Sequence, residues 1–214
     1  MTKHHPHDYH PAAGHDAFLP GYDVLTRVTR MNRSYDTLIR QAELGDGMRV
    51  LEIGCGTGNV LLRARKVNRN IELVGIDPDP RALARARRKS VGIDGLSFDE
   101  GYVQNLPYPD GAFDRVLSSA MFHHLPDDVK RSGLAEVFRV LRPGGRLHLV
   151  DFVSGTGHDG LLGFVMRRNP HVAVSSPESV SELMTAAGLH AQLLTIKRHP
   201  VFGSLAFYQA SRPA

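Results

Sequence analysis

A run of nine residues from Val50 to Gly58, Val-Leu-Glu-Ile-Gly-Cys-Gly-Thr-Gly, constrains the fold of this chain more than any other segment. Its largely apolar first half is typical of a buried strand, and the three alternating glycines lead from that strand into a helix. Glycine tolerates positive φ and has no Cβ, so a ligand can approach the main chain closely, and the following helix offers free N–H groups. The run therefore predicts a backbone cradle for a nucleoside-like ligand.

The spacing of the glycines distinguishes two kinds of nucleotide site. A dinucleotide-binding turn has the pattern G-x-G-x-x-G, and a pyrophosphate lies at the N-terminus of its helix. Here the pattern is G-x-G-x-G, and Glu52 stands two residues before the first glycine. Because a carboxylate repels a pyrophosphate and attracts an ammonium group, the motif favours a cofactor that carries an amino acid over NAD.

Strand and helix patterns alternate along most of the chain. The periodicity predicts strands at 48–53, 71–76, 96–100, 113–119 and 145–152, and helices at 57–67, 79–91 and 127–141. A last helix begins at Ser176, and strands at about 190–197 and 202–210 form a predicted hairpin. Alternation of this kind predicts a doubly wound α/β fold, with a mostly parallel sheet and helices on both faces.

The length of 214 residues favours one domain with appendages. Residues 1–16 contain five histidines without periodicity, which predicts a mobile tail that binds metal only adventitiously. Residues 17–214 are assigned to a single domain. Within it, 17–45 are expected to form a helical cap and the Gly-rich segment 153–175 an insertion that acts as a lid.

The composition also limits the kinds of binding partner that the chain is expected to have. No stretch approaches the ~20 apolar residues of a membrane span, and no signal-peptide core is recognisable, so the sequence predicts a cytoplasmic protein. Residues 63–89 hold nine Arg and Lys against three acidic residues, but interleaved aromatics are missing. We interpret this segment as a solvated face and not as a nucleic-acid site. The expected partner is a small-molecule substrate, and a homodimer is compatible with the sequence.

Residues that end the predicted strands are the candidates for a site, because ligands of open α/β sheets bind outside the carboxyl ends of the strands. Besides the glycine loop, Asp77 ends the second strand about twenty residues further on, where a carboxylate can bind both hydroxyls of a ribose. Segments 101–108, 113–125 and 141–145 complete the set.

In order and spacing these five segments resemble the class I S-adenosylmethionine (SAM) dependent methyltransferases, especially the small-molecule branch related to ubiquinone and menaquinone biosynthesis methyltransferases. The resemblance covers roughly residues 18–210. It implies a seven-stranded, Rossmann-like sheet with strand order 3-2-1-4-5-7-6, whose last strand is antiparallel. It also implies a SAM-dependent methyltransferase that releases S-adenosylhomocysteine and requires no metal.

The resemblance assigns particular residues to the cofactor. They are Tyr22, Glu52, Gly54, Cys55, Gly56, Gly58, Asp77, Pro78, Val103, Ser119 and Ala120. The glycines lie under the methionine moiety, whose amino group Glu52 helps to hold, and Asp77 binds the ribose. Pro78 and Val103 flank the adenine. The backbone at 119–120 closes the methionine end, and Tyr22 covers the cofactor.

Two departures from the family pattern affect the ends of the site. The family usually has Gly-Asp-Ala after the third strand, where the Asp accepts from the adenine amino group, but this chain has Gly101-Tyr102-Val103. We therefore expect adenine recognition through Gln104 or Asp99, or stacking on Tyr102. The quinone-pathway enzymes have Arg-Asn where this chain has His123-His124, so their substrate is not carried over.

Methyl transfer from a sulfonium is an in-line displacement that depends on alignment and a dry, charge-matched pocket. If the acceptor is a phenol, enol or amine, a neutral histidine can take its proton, and His123, His124 and His158 are the candidates. His148 and His190 are interpreted as strand residues with satisfied ring nitrogens. Two alternatives remain: an NAD(P)-binding oxidoreductase, which the glycine spacing disfavours, and a SAM-binding protein without catalysis, which would share every cofactor motif.

Overall fold

A seven-stranded sheet with helices on both faces organises the molecule. The computed structural model describes residues 31–154, 156, 175–199 and 203–214. Within them the helices are α1 (Met31–Ala42), α2 (Asn59–Val67), α3 (Pro80–Lys89), α4 (Asp127–Val140) and α5 (Pro177–Ala186). The strands are β1 (Arg49–Ile53), β2 (Glu72–Asp77), β3 (Leu96–Glu100), β4 (Phe113–Ser119), β5 (Leu141–Val153), β6 (His190–His199) and β7 (Gly203–Ser211).

The strand order is β3-β2-β1-β4-β5-β7-β6, which confirms the predicted topology. The five strands β3, β2, β1, β4 and β5 are parallel to one another, and β7 runs antiparallel to both of its neighbours. The direction in which strands are added reverses between β1 and β4. In open α/β sheets a ligand binds at this switch point, outside the carboxyl ends of the strands.

The core is divided into two clusters, one on each face of the sheet. Alternation along β1 places Leu51 and Ile53 in the cluster with α4 and α5, and Val50 in the cluster with α1, α2 and α3. Because β1 is buried on both faces after its first residue, Arg49, the rest of its sequence is an apolar run interrupted only by Glu52. A carboxyl group buried in such a strand is costly unless a partner satisfies it, so Glu52 is a candidate for ligand binding.

Most predicted element bounds agree with the structure to within a few residues, but β5 is longer than expected. It begins at Leu141, which pairs with Phe113, and the register then shifts before Arg115 pairs with Arg146. The segment Pro143-Gly144-Gly145 is therefore an irregularity inside the strand pairing, which a turn-like sequence does not reveal. At α5 the prediction is confirmed: the Ser176 side chain accepts from the backbone N–H of Ser179 and caps the helix.

One prediction about a core residue is wrong. His148 is fully buried in β5, and neither ring nitrogen has a hydrogen-bond partner among the described residues. The tail 1–16, the first part of the helical cap and nearly all of the expected lid lie outside the described residues. In the part of the chain that is described, no helix is both long enough and apolar enough to cross a bilayer.

Candidate active site

The glycine loop after β1 has the backbone shape that its sequence requires. Gly54, Gly56 and Gly58 have φ values of 65°, 51° and 76°, in the left-handed region that favours glycine. A Cβ on Gly54 would lie 2.3 Å from Met121 Cγ, and one on Gly58 would lie 2.8 Å from the Phe98 ring. A Cβ on Gly56 would meet nothing within 4 Å. Close packing therefore explains why the first and third positions need glycine, whereas the middle glycine faces open space.

Glu52, at the carboxyl end of β1, is 2 % exposed, and its Oε2 has no hydrogen-bond partner among the described residues. Burial, followed by the nearby charge of Asp77, raises the pKa of Glu52 well above its usual range. A backbone hydrogen bond from Leu61 and the charge of Lys89 act in the opposite direction. A buried carboxyl group with a free acceptor is stabilised by a cation, so a ligand ammonium group would satisfy it.

Asp77, at the end of β2, holds the glycine loop in place. Its Oδ2 accepts a hydrogen bond from Gly56 N at 2.8 Å, and its Oδ1 accepts from Asp79 N at 2.9 Å. Burial raises the pKa of Asp77, and these two backbone hydrogen bonds partly oppose the rise. The sequence predicted a ribose-binding carboxylate, and this contact with the loop is an additional task that it did not reveal. Each oxygen retains capacity for a further hydrogen bond.

The end of β4 combines unpaired polar atoms with a strained backbone. The Oγ atoms of Ser118 and Ser119 are buried and have no partner among the described residues. Ala120 has a φ of 50° and donates its N–H to the carbonyl of Val150 at 2.9 Å. A residue with a Cβ in the left-handed region costs roughly 1–2 kcal/mol, and such strain is concentrated at functional sites.

His123 and Asp151 form a buried pair next to this strained residue. His123 Nδ1 lies 2.5 Å from Asp151 Oδ1, and Asp151 Oδ2 accepts a hydrogen bond from His123 N at 2.9 Å. His123 belongs to a short 3-10 turn, Phe122–His124, that follows β4, whereas Asp151 lies in β5. The pairing of Ser119 with Val150 brings the two segments together. Asp151 was not among the predicted site residues, although its position near the end of a predicted strand was an available signal.

Unsatisfied polar atoms are concentrated at the switch point. The buried side-chain atoms without a partner in the described part of the chain include four near the carboxyl ends of β1 and β4: Glu52 Oε2, Ser118 Oγ, Ser119 Oγ and His123 Nε2. Each such atom costs about 1–3 kcal/mol unless a partner is supplied. Because Ile53 of β1 pairs with Ser118 of β4, these atoms lie at the same ends of two neighbouring central strands. The cluster is the arrangement expected where a polar ligand completes the structure.

The loop after β3 forms the other end of the site. Tyr102 is 47 % exposed and Gln104 is exposed, whereas Val103 packs against Gly133 of α4, where a Cβ would lie 3.0 Å from Val103 Cγ2. Asp99 accepts a hydrogen bond from the Tyr108 hydroxyl at 2.8 Å, which occupies one oxygen of this candidate adenine-binding residue. The exposed Tyr102 ring and Gln104 amide therefore remain the groups with the fewest competing contacts.

Two residues of α4 that sequence reasoning missed hold this loop. Glu136 Oε2 accepts from Leu106 N at 2.8 Å, and Arg139 donates to the carbonyls of Leu106 and Tyr108 at 3.0 and 2.7 Å. Arg139 also binds Glu136 directly, with Nε 2.8 Å from Oε1. The pair fixes the loop backbone against the helix, so this end of the candidate site is supported from α4.

Comparison with known proteins agrees with this geometry. A family model described as a methyltransferase domain matches residues 50–145, which run from β1 to the start of β5. The demethylmenaquinone methyltransferase of Thermus thermophilus is 32 % identical over an alignment of 227 positions, which covers 91 % of this chain and 97 % of that protein. This chain belongs to the class I SAM-dependent methyltransferases.

Other curated relatives match this chain over a smaller part of their own length. The demethylmenaquinone methyltransferase of Deinococcus radiodurans is 38 % identical over 155 residues, which cover 69 % of this chain and 61 % of that protein. Among solved structures, the YcgJ protein of Bacillus subtilis superimposes with a TM-score of 0.71 at 20 % identity, covering 86 % of this chain and 99 % of YcgJ. At that identity the likeness shows the fold alone.

Of the remaining predicted site residues, the structure describes Cys55 and Pro78. Cys55 is buried, and its Sγ lies so close to Gly75 in β2 that a Cβ there would be 2.8 Å away. Burial, followed by the charges of Glu52 and Asp77, raises the pKa of this thiol, so it acts as packing and not as a nucleophile. Pro78 is half-buried after β2. Tyr22 and His158 lie outside the described residues.

Proposed function

We propose that this chain transfers a methyl group from SAM to a small-molecule acceptor. The observation that carries the proposal is the group of unsatisfied buried atoms beside the glycine loop, at the switch point of the sheet. A ligand with an ammonium group, ribose hydroxyls and a carboxylate has the polar groups that such a site lacks. SAM has all three, and the residues present fit it.

The fit assigns a part of the cofactor to each segment. Glu52 Oε2 would accept from the amino group, and the open space at Gly56 allows the methionine moiety to lie against the backbone of the loop. Asp77 would bind the ribose with its remaining lone pairs, and the backbone at Ser119 and Ala120 would close the methionine end. Pro78, Val103, Tyr102 and Gln104 would surround the adenine, and Tyr22 is proposed to cover the cofactor.

SAM supplies an electrophilic methyl group on a sulfonium sulfur. We propose in-line transfer without metal assistance, because displacement at such a carbon requires alignment more than it requires a Lewis acid. The protein residues would orient the acceptor and exclude water from the site at the carboxyl ends of β1 and β4. Two relatives are named for the methylation of demethylmenaquinone, which supports a small acceptor molecule for this chain also.

The family comparison does not favour the NAD(P)-binding oxidoreductase, and it does not favour a SAM-binding protein without catalysis. Turnover separates the last alternative from the proposal. If SAM binds but tritium from its methyl group reaches no phenol, hydroquinol or amine in a broad panel, a non-catalytic role replaces the enzyme.

Titration calorimetry with SAM tests the cofactor assignment directly. Glu52→Gln removes the carboxylate that faces the amino group, and we expect SAM to bind about tenfold or more weakly, equivalent to ~1.4 kcal/mol or more. Glu72→Gln is the matched control, because Glu72 is an exposed residue of β2 that pairs with Arg49 at the surface. Equal affinity of wild type and Glu52→Gln would contradict the assignment, and binding of NAD without SAM would contradict the function.

A further inference from the structure

One lysine of the basic segment 63–89 contacts the glycine loop. Lys89 is the last residue of α3, and its Nζ donates to Thr57 Oγ1 at 3.1 Å and to Asn59 Oδ1 at 2.8 Å. Thr57 is 3 % exposed, whereas Lys89 and Asn59 are half-buried. The two acceptors lie on either side of Gly58, the residue that precedes α2. Lys89 therefore connects the end of α3 with the start of α2, and it differs in this from the solvated face that the sequence predicted.

Close packing holds the same junction in place. A Cβ on Gly58 would lie 3.2 Å from Ala86 Cβ and 2.8 Å from the Phe98 ring. In the last turn of α3, Arg87 donates from Nη2 to the Phe98 carbonyl at 2.7 Å. Because these contacts fix the end of α3 against β3 and the loop, the ammonium group of Lys89 has a defined position.

The positive charge of Lys89 acts on Glu52, the buried carboxyl group of β1. Burial and then the charge of Asp77 raise the pKa of Glu52, whereas a backbone hydrogen bond from Leu61 and the charge of Lys89 lower it. Glu52 Oε2 has no partner among the described residues. The first turn of α2 and the end of α3 therefore favour the ionised form of this carboxyl group, against the effects of burial and of β2.

The loop, β4 and the contact between α1 and α2 add groups that are neutral or paired. In the loop, burial raises the pKa of the Cys55 thiol, which keeps the thiol neutral. From β4, the register partner of Glu52 is the apolar Leu117. Where α1 packs against α2, Asp36 and Arg63 form an ion pair with 2.6 Å between Oδ1 and Nη1. The charge of the carboxyl group in β1 is therefore set by burial and by the opposing charges on β2 and α3.

We propose that Lys89 is a positioning residue for the amino-acid end of the cofactor, where it holds the first turn of α2 and keeps Glu52 ionised for the ligand ammonium group. The inference rests on the proposed function and adds a residue to the same site. A carboxylate offers an ammonium group acceptor atoms only, whereas a protonated carboxyl group presents a proton on one oxygen. Binding should therefore weaken as the pH falls through the pKa of Glu52, and without Lys89 it should weaken at a higher pH.

Carbon NMR of the ligand-free chain tests the charge of Glu52 without a cofactor. The side-chain carboxyl carbons of glutamate are labelled with ¹³C, and the signal that disappears in Glu52→Gln identifies this residue. We expect the titration midpoint of Glu52 to lie above the ordinary glutamate value of about 4.3. In Lys89→Met the midpoint should rise by a further amount of about 0.5–1 pH unit. A midpoint that is unchanged in Lys89→Met would overturn the inference.

Titration calorimetry between about pH 5 and pH 9 tests the consequence for binding. The probes are S-adenosylhomocysteine, which has the amino-acid group, and 5′-methylthioadenosine, which lacks it. On the acidic side of the profile, the Kd of Lys89→Met for S-adenosylhomocysteine should be about three- to tenfold larger than that of the wild type, which corresponds to the expected shift of the midpoint. The alkaline side, where the ligand amino group loses its proton, should be unchanged. For 5′-methylthioadenosine the two proteins should agree within about twofold at each pH.

Three further variants separate the charge of Lys89 from its packing. Lys89→Gln is also neutral and should shift the profile as Lys89→Met does, so the test remains decisive if one of the two does not fold. Lys89→Arg keeps the positive charge and should keep the acidic side of the wild-type profile. Lys66→Met is the matched control, because it makes the same change at an exposed residue of α2 and should leave the profiles of both probes unchanged.

The possible failures are distinct. A wild-type chain that binds neither SAM nor S-adenosylhomocysteine contradicts the proposed function itself. A wild-type chain that binds both, with the same pH profile in Lys89→Met, contradicts the role of Lys89 alone. Equal weakening of both probes in Lys89→Met would leave only a packing role, and a shifted profile in Lys89→Arg would show that the charge is not the cause. Either of these last two results overturns the inference.

Discussion

Replacement of His148 by leucine should make the folded protein more resistant to acid. His148 is fully buried in β5, and its register partner Leu117 belongs to the core that includes α1 and α2. Burial, followed by the charges of Arg115 and Arg146, lowers the pKa of His148 to about 3. The imidazole is therefore neutral in the folded state at pH values where an unfolded chain protonates it.

The size of the effect follows from proton linkage. Between pH 6.5 and pH 3 the unfolded state binds a proton that the folded state does not, so stability falls as the pH falls through that window. Each pH unit there costs about 1.4 kcal/mol, and from pH 6.5 to pH 5 the loss is about 2 kcal/mol. That is a large fraction of the roughly 5–15 kcal/mol by which a domain is stable.

Urea unfolding at pH 7.5 and pH 5.0 measures this effect. The free energy of unfolding of the wild type should fall by about 2 kcal/mol more than that of His148→Leu between the two pH values. His190→Leu is the control, because His190 is an exposed residue of β6 and should leave the pH dependence of the wild type unchanged. Equal losses in the wild type and His148→Leu would refute the assignment of a buried neutral imidazole.

Two further substitutions test the ends of the cofactor site. Asp77→Ala should weaken SAM binding by about 2 kcal/mol, roughly 30-fold, because it unpairs the ribose hydroxyls and frees Gly56 N, whereas Asp94→Ala, at an exposed residue of the turn before β3, should leave the calorimetric Kd unchanged. Ala120→Gly should raise the free energy of unfolding in urea by about 0.5–1 kcal/mol, since it relieves the left-handed strain at some cost in backbone entropy. A destabilised Ala120→Gly would show that the strain is not stored at this residue.

The local sequence was sufficient to predict the helices and strands and those site residues that lie at the end of a single strand. The helical and strand periodicities placed most elements within a few residues of their observed bounds, and Glu52, the three glycines and Asp77 do converge at the switch point. These residues lie at the carboxyl ends of their own strands or directly after them, so their position depends on local geometry.

Residues that depend on cross-strand neighbours were beyond sequence reasoning. Asp151 reaches His123 only because β4 and β5 pair in the register of Ser119 with Val150, and the position of an aspartate near the end of a strand does not by itself identify its partner. The same limit explains His148, whose unsatisfied nitrogens result from the residues that surround it across the sheet. Glu136 and Arg139 look like ordinary helix-surface charges until the loop after β3 is placed against them.

The hydrogen bond from Gly56 N to Asp77 connects the shape of the loop with the strand beside it. Because β2 already holds the loop in a defined conformation, little backbone entropy remains to be lost when a ligand arrives, so the site is preorganised. Because we propose that Asp77 also binds the ribose, loop order and ligand contact would depend on one carboxylate. Any change at this position is therefore expected to alter the folding of the loop and the recognition of the ribose together, as a single thermodynamic unit.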